Sequence, residues 1–160
     1  MTTSDPILAE ITTAVEAGRL GDADLTRADL QTIWDRLDQD DAFHRTVLAH
    51  YLADLYDDPT EALVWDERAL AASPGLVDSD LAEIAPGVSA EGFLPSLHLN
   101  VADQLRRLGR FDEAAQQLEA ARSHTPALAE DMYGTAIREA IKNQDIAIAE
   151  RDTTVREPLP

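Results

Sequence analysis

The 160-residue chain has no cysteine, which excludes disulfides and thiolate metal sites and fits a reducing compartment. Aromatic residues supply only 5% of it, so a core has to be assembled mainly from Leu, Ala, Ile and Val. That composition favours closely packed helices over a β-sandwich. Positive charge is scarce: 13 Lys and Arg against 31 Asp and Glu leave a formal net charge of −18. A surface this acidic repels phosphate backbones and anionic lipid, so neither nucleic acid nor a membrane is an expected partner. It acts as a solubility coat or attracts a basic partner. Lys142 is the sole lysine, and the Ala- and Asp-rich usage points to a GC-rich bacterial genome or a salt-adapted organism. No apolar run approaches the roughly 20 residues of a membrane-spanning helix. The first twenty residues carry Asp5, Glu10 and Glu16 and lack a basic start, so no signal peptide is expected and the location reads as cytoplasmic. Glycine-rich phosphate loops, Gly-x-Ser-x-Gly and His-Glu-x-x-His are also missing, so no cofactor and no enzymatic activity is expected.

What is present is helical periodicity. Asp5 and Pro6 have the residue types of a helix cap and first position, Leu8, Ile11 and Val15 form a stripe, and Gly18 reads as its end. Thr26 reads as the cap of a second helix bearing Leu30, Ile33, Trp34 and Leu37. A third is expected over about 42–56, and Asp58-Pro59 opens a fourth that stops at Ser73-Pro74-Gly75. Residues 75–94 break the pattern, with a short helix over 78–84. Pro95 opens the next helix, or lies in its first turn if Ser89 is the cap; Leu97, Val101, Leu105 and Leu108 are its stripe. Gly109-Arg110-Phe111 turns into a helix with Ala114, Leu118 and Ala121. Thr125-Pro126 reads as the start of a last helix whose apolar positions are Met132, Tyr133, Ile137, Ile141, Ile146 and Ile148.

Part of this pattern is written twice. Residues 60–74 recur as residues 112–126, with Glu61 on Glu113, Ala62 on Ala114, Glu67 on Glu119, Ala69 on Ala121 and Pro74 on Pro126. Small residues at a fixed interval in repeated helices are the mark of stacked helix hairpins. Residues 95–126 resemble one unit of the tetratricopeptide repeat family. Leu97 or His98, Val101, Ala102 and Leu105 fill the first-helix places, and Gly109 and Phe111 the turn. Ala114, Leu118 and Ala121 fill the second helix, and Pro126 closes the unit. The earlier unit matches through Ala62, Ala69 and Pro74, but Asp57-Asp58-Pro59 replaces the glycine–aromatic turn. The closing prolines stand about 18 residues further apart than the family's period of about 34, so an insertion separates the units.

The resemblance implies an all-α fold: antiparallel helix hairpins stacked as a short right-handed superhelix with a C-terminal capping helix. Hairpins are expected over about 5–37, 42–74 and 95–125, with the cap over 126–151, in a single domain, 1–151. Residues 75–94 are the insertion and 152–160 a flexible tail. It also implies a non-catalytic module that holds a protein or peptide partner in a groove lined by the first helices. His50, Asp54, Leu99, Asn100, Asp103, Arg106 and Arg107 would face that groove. Arg106, Arg107 and Arg110 would receive a carboxylate-bearing segment, and Asn100 falls where some members hold a peptide's terminal carboxylate. An alternative assigns His50, Asp54, His98 and Asp103 to zinc or manganese, as a metal-binding protein or metal-dependent hydrolase. Trp34, Trp65 and Tyr133 lie on apolar faces and read as core packing. An unpaired end along the last helix makes a homodimer a further expected partnership.

Overall fold

Carboxylate side chains start most of the helices, because an oxygen at the cap satisfies amide N–H groups that have no partner within the helix. The computed structural model describes residues 5–156. Asp5 caps α1 (Pro6–Leu20), Asp22 caps α2 (Ala23–Arg36), Asp41 caps α3 (Ala42–Ala53) and Asp58 caps α4 (Pro59–Ala72). Ser89 caps α5 (Ala90–Arg107), α6 spans Phe111–Ser123, and Asp131 caps α7 (Met132–Ala149). Three short 3-10 turns complete the chain at Ser73–Gly75, Asp78–Leu81 and Thr125–Ala127. The described residues are all-helical, with no strand.

Several boundaries differ from expectation, each for a local reason. Gly18 does not end α1; it lies against α2, where an added Cβ would sit 2.5 Å from Thr26 Oγ1. Thr26 is not a cap but a buried residue whose hydroxyl donates to the Asp22 carbonyl. α3 stops at Ala53, short of Tyr56. The Ser89 cap moves the start of α5 ahead of Pro95, which sits in the second turn. The break in the pattern therefore covers residues 76–89. α7 begins only at Met132, which is 90% exposed, and Ile146 also faces outward.

Neighbours in sequence are neighbours in space: α1 packs on α2, α3 on α4, α4 on α5, α5 on α6, and α7 on both α5 and α6. The duplicated segments are α4 with its 3-10 turn and α6 with its 3-10 turn. Ala62, Ala69, Ala114 and Ala121 are each 0% exposed, so the repeated alanines are the points of close helix approach. Leu8, Ile11, Leu30, Leu48, Leu52 and Leu97 belong to the larger core, and Leu99, Leu118, Ile137 and Ile141 to a second one under α7. Fully burying one such side chain stabilises by about 1.5–3 kcal/mol. Residues 76–89 are folded in as well: Leu76 and Leu81 are buried, and the Ala90 amide donates to Asp78 Oδ1 at 2.8 Å.

Two polar ties span the chain. His44 bridges the caps of α1 and α3, with Nε2 2.8 Å from Asp5 Oδ2 and Nδ1 2.7 Å from Asp41 Oδ2. Burial lowers its pKa, but the two carboxylates outweigh that and raise it. At the other end, the segment after α7 is hydrogen-bonded to α5. The Asp152 and Thr154 carbonyls both accept from the Arg106 guanidinium, at 2.5 and 2.9 Å. Asp152 also receives Thr154 and Arg156, whose hydrogen bonds hold its pKa down to about 2. Residues 157–160 of the expected tail lie outside the described residues.

Candidate functional site

Of the seven residues expected to face a groove, two are in the interior. Leu99 is fully buried in the core under α7. Arg106, on the last turn of α5, is 0% exposed; its Nε donates to Gln144 Oε1 at 3.1 Å and its Nη2 to Asp103 Oδ1 at 2.8 Å. Asp103 accepts from Gln144 Nε2 as well, so it is turned towards α7. Arg107 donates to Gln104 Oε1 and to the Asp57 carbonyl, and Arg110 to Glu113. Arg106 and Arg110 are thus paired with carboxylates inside the protein, whereas Arg107 bonds only uncharged oxygens. The expected metal set does not assemble either. His98 precedes Asn100 by two positions, about 200° around a helix, so the two point to opposite sides. The His98 ring faces α6, with Nδ1 2.8 Å from Gln117 Oε1, and stacks on His124 at 5.8 Å. Among the described residues no group of three or more His, Asp or Glu is placed to hold a metal ion.

His50 and Asn100 are brought together. The Asn100 amide donates to His50 Nδ1 at 3.2 Å across α3 and α5. Burial lowers the His50 pKa against the opposing pull of Asp54, which favours the neutral ring that this bond requires. Asp54 keeps an exposed side; burial of the rest raises its pKa, and His50 opposes the rise. His50 forms the floor of a cleft of about 300 Å³. Val47 and Tyr51 of α3 stand beside it, with Phe93 and Ser96 of α5 opposite and Tyr133 of α7 at one end. Ile84, Ala85, Pro86 and Val88 supply the remaining wall, so the insertion closes one side of the space between the first helices.

The cleft lining is mainly apolar, with polar atoms on His50, Tyr51, Ser96 and Tyr133. The His50 ring meets Phe93 edge-on at 6.3 Å. Among the described residues the buried Tyr133 hydroxyl makes no well-formed hydrogen bond; the Ser96 hydroxyl, close enough to act on it, donates to the Phe93 carbonyl at 2.8 Å. Burial raises the Tyr133 pKa; Ser96 works against this and the Asp131 carboxylate adds to it. No lysine or arginine lines the space. Tyr133, Phe93 and the wall over 84–88 escape a reading by periodicity, since each looks like core or like an interruption. The usable signal is the cluster of apolar Ile84 and Val88 around a Pro86-Gly87 break.

Beside the cleft lies a buried acid that sequence also misses. Asp66 on α4 is 3% exposed, and Gln104 Nε2 donates to its Oδ2 at 3.3 Å. Burial pushes its pKa up to about 8; Gln104 opposes the shift, and Asp54, Asp103 and Glu67 add to it. It is a protonated, structural carboxyl at neutral pH. No family model matches the chain, and neither a curated protein nor a solved structure matches it.

Proposed function

We propose that the chain is a non-catalytic helical-repeat module of the tetratricopeptide kind, and that the cleft between α3, α5, α7 and residues 84–88 receives a segment of another protein. The observation that carries this reading is the mainly apolar cleft of about 300 Å³ beside the first helices, where the buried Tyr133 hydroxyl has, among the described residues, only Ser96 within reach and no well-formed hydrogen bond. Buried polar groups are almost always paired, so one without a well-formed bond marks where a ligand acceptor fits. A backbone carbonyl of a bound segment supplies that acceptor, and an apolar side chain fills the space walled by Val47, Ile84 and Phe93. Charge supports a basic segment: Asp54 and Asp131 act on His50 and Tyr133, in a chain whose net charge is −18. The repeated alanine helices support a scaffold role for α4 and α6, leaving the first helices for recognition.

Selection from a displayed random peptide library tests this. The expected enrichment is one large apolar residue flanked by Lys or Arg, with binding lost in Pro86→Arg, an exposed change at the cleft wall. Peptides that bind Pro86→Arg as well as the wild type, or no enrichment at all, defeat the reading.

A further inference from the structure

The chain's only two tryptophans meet at a second site, which shares no residue with the cleft. Trp34 of α2 and Trp65 of α4 are in T-shaped contact, with ring centroids 5.2 Å apart. Arg45 of α3 lies over the Trp34 ring at 3.9 Å, and Arg68 of α4 lies 4.3 Å from the Trp65 ring and 5.8 Å from Trp34. Both guanidinium groups line an open pocket of about 550 Å³ whose floor includes Trp34 and whose rim includes Gln39, Asp40 and Gly75.

These two cations carry no countercharge and stand side by side at one pocket. In a protein with 31 acidic residues, surface arginines such as Arg36, Arg110, Arg122 and Arg138 each reach a carboxylate. The guanidinium groups of Arg45 and Arg68 make ring contacts but no hydrogen bond and no ion pair among the described residues. Stacking on a ring satisfies only the flat face of a guanidinium. The N–H donors lie in its plane, so both forks keep their full donor capacity for a ligand. Two unneutralised forks, one on Trp34 and one chiefly on Trp65, present their donors side by side to oxygen acceptors, and the ring contacts supply part of the ordering such binding requires.

We infer that this pocket binds a small ligand bearing a carboxylate or phosphate group. The shared chemistry is a compact oxyanion held by charge-assisted bonds from Arg45 and Arg68. Asp40 on the rim and the overall charge disfavour an extended polyanion, which restricts the ligand to a small molecule.

Both tryptophans report on the site, so intrinsic fluorescence of the intact chain is a direct readout. Citrate and inorganic phosphate are titrated separately against sodium chloride of matched ionic strength. A saturable change with half-saturation at about 1 mM or below is expected for one of them, and which one responds identifies the group. Arg68→Gln and Arg45→Gln are each expected to weaken it about ten-fold or more. Arg68 is exposed, so its variant decides the matter even if Arg45→Gln alters folding. Absence of a saturable change below about 10 mM with both anions, or an unchanged response in Arg68→Gln, overturns the inference.

Discussion

Asp66 shows how one buried side chain sets a property of the whole protein. In the unfolded chain an aspartate loses its proton near the ordinary value of about 3.9. In the folded protein Asp66 keeps it up to about 8, because burial and the nearby Asp54, Asp103 and Glu67 carboxylates all disfavour the anion. Between those two values the folded state binds the extra proton, so the contribution of this group to stability is full below the lower value. It falls as pH rises and is lost above the upper one. Asp66→Asn retains the amide-to-oxygen bond with Gln104 but cannot ionise. Urea unfolding is expected to show little change for this variant at about pH 4 and a gain of about 2 kcal/mol or more at about pH 9. Parallel pH profiles for the two proteins would show that Asp66 is ionised in the fold.

At the scale of the element, α5 ends in a closure that depends on one residue type. The Gly109 amide donates to the Arg106 carbonyl at 2.9 Å, and the Arg110 amide to the Leu105 carbonyl at 2.9 Å, with Gly109 at φ +76°. This paired closure needs a left-handed residue, which glycine adopts without a Cβ penalty. Gly109→Ala is expected to destabilise by about 1 kcal/mol in chemical denaturation, with the helix content of the native state unchanged. The glycine and the Asp-Pro starts of α1 and α4 were legible from sequence because turn and cap chemistry is local. The alanine pairs were legible because they recur at one offset. Gly18 misled, since it is a breaker by type and is overruled by its contact with Thr26; at Pro95 the Ser89-cap alternative is the one found, with the proline one turn further in than expected. The candidate site was less legible still. One helix face was assigned to both Leu99 and Asn100, which are adjacent in sequence and diverge by about 100°. A buried arginine is also the exception to every rule that places charge at the surface.

At the scale of the molecule, Arg106 joins α5, α7 and residues 152–154 into one unit. Ending the chain after Arg151 removes two carbonyl acceptors from a guanidinium that has no access to water. The expected loss is about 2–4 kcal/mol, read from the urea midpoint. Truncation in an Arg106→Met background should cost less, since no buried cation is then left unpaired. Equal losses in the two backgrounds would show that the tail acts by another route. The same tie orders events during synthesis. The Asp152 carbonyl follows Arg106 by 46 positions. At 5–20 residues per second, translation takes about 2–9 s to cover that interval. Through that delay the α1–α4 half already has all of its own residues, whereas α5 does not yet have all of its partners. The Arg106 guanidinium therefore has its countercharge, Asp103, from the start, but gains its last two acceptors only once residues 152 and 154 have been made.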